Sequence, residues 1–366
     1  MKHYTPDIIY IDDSAYPYPY TWEIVERLPH VPVRRVRDKA EALASVASAG
    51  QRIDIGKQIF FLTTQKGRFF KKCPGTKGLI CCNYYVVNFA TNCHLDCSYC
   101  ILQGYYENNP FLTFFVNVED LLEELDQVFS ADPHRQYRVG TGEFTDSLAL
   151  EELTGFSQRI VPFFATYPNA TLELKTKADT IEPLLDLNHQ GRTSVAWSVN
   201  TPAMIASEEP HTATLDERLD AARRCQDAGY RIGFHFDPLF FYPGWESAYH
   251  QVVERLFDAV APGNISWISL GGFRYSPDLK PIIRRRFPDS TILCGEFVPC
   301  ADGKMRYLKH LRLEMYASLL ATIKRYGNQI PVYLCMESPQ VWKQVYGWTP
   351  QCDRHLTHLF DRRLTA

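Results

Sequence analysis

The chain has no uninterrupted apolar run of the roughly 18 residues that a membrane-spanning helix needs. Its first residues, MKHYTPDIIYIDDS, lack the basic-then-apolar plan of a secretory leader. The cytoplasm is therefore the expected compartment, with no membrane partner. Excess charge of one sign is lacking too. The 39 Lys and Arg against 42 Asp and Glu leave a net charge of -3, so any grip on nucleic acid must be local. Low-complexity linkers and short-period repeats are absent. What remains is 366 residues with 45% hydrophobic and 22% charged side chains. That profile suits a globular protein with a sizeable core and excludes the disordered and fibrous classes.

Three zones follow one another. Residues 1–82 read as an N-terminal cap, with basic pieces at Arg34, Arg35, Arg37 and Lys39 and at Lys66, Arg68, Lys71, Lys72 and Lys77. From 83 to 290, β-branched and aromatic runs alternate with helical patterns in six units, from CNYYVVNF then VNVEDLLEELDQVF to ISWISLGGF then SPDLKPIIRRRF. Within the first helix, Val118, Leu121, Leu122, Leu125, Val128 and Phe129 recur at the spacing that paints one apolar face. Strict alternation requires parallel strands with right-handed crossovers. It predicts an α/β fold, either a closed or a partial (β/α)6 barrel of TIM type or a doubly wound sheet. In both, ligands bind at the C-terminal ends of the strands. Residues 291–366 read as a C-terminal extension with a long helix in MRYLKHLRLEMYASLLATIKRYG, an apolar strand in PVYLCMES and a basic tail.

The eleven cysteines are unevenly spread: six fall between Cys73 and Cys100, while Cys225, Cys294, Cys300, Cys335 and Cys352 are scattered. In a reducing compartment such clustering points to metal or redox chemistry before disulfides. The sharpest constellation is Cys93-His-Leu-Asp-Cys97-Ser-Tyr-Cys100, directly after the first strand of the alternating zone. Thiolates at these gaps can wrap one face of an iron-sulfur cube and supply all but one of its iron ligands. The remaining iron is then open to an external ligand. The same residues also fit a buried helical stripe or, with His94, a zinc knuckle.

This motif resembles the signature of the radical S-adenosylmethionine (radical SAM) superfamily, whose barrel is of the βα type. Its surroundings resemble the spore photoproduct lyase family, in NCHLDCSYCILQ, PFLTFFVNVEDL, LKTK, WSVN and GYRIGFHFDPLFFYPGWE, a span from about Lys57 to Ala321. The resemblance selects the partial barrel and implies a 4Fe-4S cluster on Cys93, Cys97 and Cys100, with the open iron chelating SAM. It implies reductive cleavage of SAM to a 5'-deoxyadenosyl radical, which takes a hydrogen atom from a thymine dimer of DNA. The electron would come from a reductase, a flavodoxin or a ferredoxin. Family SAM contacts carry over to Tyr99, Lys177, Ser198 and Asn200. Two positions depart from the family. Glu143 stands where the family has the cysteine that returns a hydrogen atom to the product radical, and Ile101 stands where it has a relay tyrosine.

Glu143 lies in GTGEF, where Gly140 and Gly142 would let the backbone approach a ligand. Its carboxylate resembles that of the Gly-Gly-Glu motif by which many radical SAM enzymes hold the SAM amino group; a structural salt bridge or a substrate contact are the other readings. Thr145 is expected in the same pocket, and Asp146 either there or capping the next helix. Ser198 and Asn200 share one side of their strand, as do His235 and Asp237. His235, Asp237 and Arg274 are candidate substrate contacts, against a hydrogen-bonded core histidine and an ordinary surface ion pair. Cys335 is the candidate replacement hydrogen donor, because a terminal strand could cross the open side of the barrel. Cys81 and Cys82 come next, and inert packing is the alternative. A DNA lesion extruded toward the radical would need its phosphates held. Arg284, Arg285 and Arg286, Lys304 with Arg306, and Lys309 with Arg312 could do so, or be solvated helix faces. Two other functions remain open on sequence: radical SAM chemistry on a small molecule or peptide, and a non-catalytic metal-cluster protein that binds nucleic acid.

Overall fold

The computed structural model describes residues 4–44, 46, 52–73, 75, 76, 78–82, 84–106, 108–351 and 356; Lys77, Cys352 and the basic tail lie outside the described residues. In chain order the strands are β1 (Ile8–Asp12), β2 (Val33–Val36), β3 (Ile59–Thr63), β4 (Phe70–Lys72), β5 (Tyr85–Val87), β6 (Ala90–Thr91), β7 (Leu112–Phe115) and β8 (Tyr137–Gly140). They continue with β9 (Ala170–Thr176), β10 (Thr193–Ser198), β11 (Arg231–Leu239), β12 (Ile265–Gly272), β13 (Arg274–Tyr275), β14 (Phe297–Pro299), β15 (Met305–Tyr307) and β16 (Val332–Leu334).

The main sheet runs β16-β12-β11-β10-β9-β8-β5-β4, with only the β4 edge antiparallel. Its interior contacts show that it curls. The Arg138 guanidinium on β8 lies 4.3 Å from the Trp267 ring centroid on β12, although four strand spacings would separate them by about 19 Å in a flat sheet. This is the expected partial barrel. β16 adds a parallel strand beside β12, and just beyond it the Ile80 amide donates to the Glu337 carbonyl at 2.9 Å, tying the two open edges together. The crossover helices bury the faces that periodicity marked. Val118–Ala131 inserts Val118, Leu121, Leu125 and Phe129 and carries Glu119 and Asp120 in its first turn, where carboxylates favour the helix dipole. Leu215–Asp227 begins in a reciprocal capping box between Thr214 and Glu217.

A second sheet, β2-β1-β3-β7-β6, forms the N-terminal unit. Its β7 comes from within the 83–290 span: after the cysteine motif the chain returns to pair Phe60–Thr63 with Leu112–Phe115, all four of which are buried. β13, β14 and β15 make a small antiparallel sheet at the barrel mouth. Residues Met305–Tyr307, expected as the start of the long helix, are strand β15, and the helix itself is Lys309–Tyr326. No helix among the described residues is long and apolar enough to cross a membrane.

Candidate active site

The motif cysteines stand on the loop between β6 and the short helix Leu102–Tyr105. A loop this irregular needs partners for its backbone groups; Asn92 and Lys57 supply several, and buried charged side chains brace the loop from two sides. Asn92 sits at a left-handed φ of 69°; its side chain accepts from the Cys93 amide at 2.9 Å and donates to the Pro110 carbonyl at 2.7 Å. The buried Lys57 ammonium donates to the Cys93 and Leu95 carbonyls at 2.9 and 2.8 Å and pairs with Asp96 at 2.9 Å. Arg286 holds the other Asp96 oxygen at 2.9 Å. On the far side Glu208 accepts from Ser98 and Ser290, and Glu209 accepts from the Tyr99 hydroxyl. Arg218, wholly buried, bonds Glu209 at 2.5 Å and the Ser198 carbonyl at 2.8 Å. Replacing Arg218 by Met would leave the Glu209 carboxylate buried without its counter-ion. The expected loss is about 3–5 kcal/mol, measurable as a lower urea midpoint.

The loop opens on a cavity at the C-terminal ends of the barrel strands. Cys93, Cys97, Tyr99 and Cys100 share its wall with Glu143, Thr145, Asp146, Lys177, Ser198, Asp237 and Arg274. Burial pushes the Cys97 thiol up to about 12 against the pull of Lys177, and the Cys93 thiol higher still. Such thiols are inert when free and become thiolates outright on a metal. Three soft donors on one wall fit an iron-sulfur cluster. The zinc-knuckle reading fails at His94, which is not part of this wall. Its ring stacks on Tyr4 at 4.4 Å, and burial lowers its pKa to about 3. Among the described residues, no three His, Cys, Asp or Glu side chains are gathered as ligands of a single ion.

Glu143, just past β8, is held by the Tyr84 hydroxyl at 2.9 Å. The glycines beside it also allow close packing, and Gly142 lies on the cavity wall. A Cβ at Gly140 would lie 2.5 Å from the Tyr84 ring, and one at Gly142 2.9 Å from Lys175 Cβ. Asp146 braces the strand ends: it accepts from the Leu148 and Ala149 amides at 3.0 Å and, at 2.7 Å, from Thr176 Oγ1 and the Lys177 amide. Lys177 lies over Tyr99, its ammonium 5.7 Å from the ring centroid.

Asn200 and His235 are not on the wall. The Asn200 side chain is spent on the Pro238 carbonyl at 3.3 Å, the Tyr249 hydroxyl at 2.8 Å and the Thr201 amide at 3.0 Å. His235 belongs to a buried layer beneath the cavity, with Nδ1 2.7 Å from Ser269 Oγ and Nε2 2.8 Å from Glu173, whose other oxygen takes Arg138 at 2.8 Å. Two residues along a strand share a face yet differ in depth by about 6.6 Å, which puts Asp237 on the wall and His235 under it. Asp237 pairs with Arg274 at 3.1 Å, mostly buried rather than on the surface. Arg274 also reaches within 3.6 Å of Cys335 Sγ; Cys335 itself is not on the wall, although the next residue, Met336, is. Three arginines expected at phosphates are already committed: Arg286 to Asp54 and Asp96, Arg306 to Asp302 and Arg312 to Glu337. Lys57, Glu208, Glu209 and Arg218 went unnoticed in the sequence, where nothing distinguishes a buried charge from an exposed one.

A parallel half barrel whose strand ends face a three-cysteine loop defines a radical SAM enzyme. Residues 4–305 match the family model described as spore photoproduct lyase. The spore photoproduct lyases of Bacillus subtilis (strain 168) and Geobacillus sp. (strain Y412MC61) are 26% and 25% identical over 300 and 305 residues, covering 80% of this chain and 85% of each relative. A solved spore photoproduct lyase complexed with dinucleoside spore photoproduct superposes with a TM-score of 0.80 at 21% identity, over 91% of this chain and 99% of that one. A mutant form with bound AdoMet and the same lesion gives 0.79, at 21% identity, over 92% and 100%. The chain belongs to the spore photoproduct lyase family.

Proposed function

We propose that this chain cleaves SAM reductively and uses the resulting 5'-deoxyadenosyl radical to take a hydrogen atom from spore photoproduct in DNA, so that the lesion reverts to two thymines. The observation that carries this reading is the shared cavity on which the motif cysteines, Glu143, Lys177 and Ser198 meet Asp237 and Arg274. Solved relatives hold AdoMet and the dinucleoside lesion. Cys93, Cys97 and Cys100 would hold the 4Fe-4S cluster, which supplies one electron to SAM when bound. Lys177 would meet the SAM carboxylate and Glu143 its ammonium, both by charge-assisted hydrogen bonds. The Tyr99 ring and Ser198 would flank the nucleoside, with Thr145 beside them. A reductase, flavodoxin or ferredoxin would deliver the electron.

Cys335 would return a hydrogen atom to the product radical, its S–H bond breaking as the product C–H bond forms; the thiyl radical left on sulfur would regain its hydrogen as one electron from the same electron donor and a proton from water. Burial and then Asp237 push its thiol well above the ordinary range, which keeps the hydrogen on sulfur. In deuterated water the exchanged thiol would place deuterium in the repaired thymine, and Cys335→Ala should reduce that label to background. Unchanged labelling would return Cys335 to a packing role.

Anoxic reconstitution tests the main reading. DNA carrying the lesion labelled at the abstracted position should pass its label to 5'-deoxyadenosine. SAM cleavage without transfer from DNA would move the chemistry to a small molecule or peptide, which Glu143 in the family's thiol position favours. Zinc with no cleavage would leave a nucleic-acid-binding protein.

A further inference from the structure

We propose that Lys175, Arg274 and Lys304 form an anion subsite within the cavity and bind the phosphodiester that joins the two nucleosides of the lesion. The inference rests on the lesion reading and names the group that reading leaves unassigned.

The three cations come from separate places in the fold: Lys175 near the end of β9, Arg274 in β13 and Lys304 in the turn before β15. All three line the cavity that the cysteine loop faces. The carboxylates of the same wall are largely engaged. Asp237 is bonded by Arg274 at 3.1 and 3.4 Å. Asp146 accepts four hydrogen bonds from its own neighbourhood. Glu143 is held by Tyr84. Asp302, two residues from Lys304, is bonded through both oxygens by Arg306. The neutral donors at Asp146 and Glu143 leave those carboxylates charged, so the wall sets Lys175, Lys177, Arg274 and Lys304 against Glu143, Asp146 and Asp237, and cations outnumber carboxylates by one. Burial, and then the nearby Arg274, pulls the Lys304 ammonium below its ordinary pKa, as expected of cations gathered where water is scarce.

Holding like charges together in a partly dry cavity is unfavourable until an anion joins them. Separate cations around one cavity can meet more than one oxygen of a phosphodiester. The Arg274 fork is turned to Asp237, so Arg274 contributes chiefly its charge, while the two ammonium groups act as point donors. Such contacts fix where the lesion sits without reading its bases.

The test compares two probes on the reconstituted full chain by equilibrium binding: the dinucleoside lesion, which has no phosphate, and the phosphate-bridged dinucleotide lesion. The dinucleotide should bind at least about tenfold more tightly, the equivalent of one hydrogen bond to a charged group. Added salt should reduce the preference. Lys304→Met and Lys175→Met should each shrink the ratio to within about threefold, whereas Lys304→Arg should preserve it. Iron content and circular dichroism establish that each variant is folded. Equal affinities in the wild-type chain, binding of neither probe, or a ratio that both Met variants retain would overturn the subsite. Failure of the lesion reading shows separately, as no label transfer from either probe while the affinity ratio still reports on the subsite.

Discussion

Cys97→Ala is expected to reduce SAM cleavage to the uncatalysed level and to strip most of the iron from the anoxically reconstituted chain. Cys97 is buried in the middle of the motif, and Gln103 bonds its carbonyl at 2.9 Å, so the loop itself should persist without the thiol. On the proposed function what disappears is one of three iron ligands, and a cube held by two thiolates would be prone to lose iron. Iron analysis, the visible charge-transfer absorbance and 5'-deoxyadenosine formation read the effect independently. Cys225→Ala is the control: Cys225 is equally buried, but it packs in the helix Leu215–Asp227 and takes no part in the cavity wall. An alanine at position 97 that kept both iron and SAM cleavage would remove the basis of the functional reading.

The second large effect is on acid stability and arises from the layer beneath the cavity. Burial raises the Glu173 carboxyl, but Arg138 and the hydrogen bond from His235 outweigh it and bring its pKa to about 2. A carboxyl lowered on folding stabilises the fold above its unfolded value of 4.5. That stability is lost as the pH falls from about 4.5 toward 2, and it amounts to about 3 kcal/mol. His235 acts at higher pH. Burial, then Lys175, lowers its pKa from 6.5, so the folded chain prefers the neutral ring, with a proton on Nε2 to donate to Glu173. Protonation below about pH 6.5 therefore favours the unfolded chain. Urea midpoints measured from pH 7 downward should fall first with the imidazole and again with the carboxylate. Glu173→Gln should lower the midpoint at pH 7, by about 3–5 kcal/mol in free energy, and make the second decline shallower, the remainder coming from Asp237, Glu209 and Asp96, whose carboxyls are also lowered. A stability profile flat across this range would contradict the assigned charges.

Legibility followed the range of each signal. The alternation of strands and helices is local and repeated, and it predicted parallel strands with a ligand face at their C-terminal ends, while the choice of barrel over doubly wound sheet rested on the resemblance. Ser198 and Asp237 were placed by strand parity and do reach the wall. Parity could not separate His235 from Asp237, because depth inside a barrel depends on how far the sheet curls. Asn200 matched a family contact, yet Tyr249 and the Pro238 carbonyl take up its side chain. The triple arginine suggested phosphate, but Arg286 turns inward to Asp54 and Asp96, two residues far away in sequence.

The spacing of Cys93, Cys97 and Cys100 is a short-range chemical fact, and together with the strand rhythm and the resemblance these carry it pointed to the kind of cofactor proposed and to the barrel. Folding decided everything that depends on charges meeting across long loops: that Lys57, Glu209 and Arg218 hold the thiol loop, and that Lys175, Arg274 and Lys304 meet around one cavity. A buried charge is tolerable only beside its partner, and which partner arrives is a property of the packed chain rather than of any stretch of it.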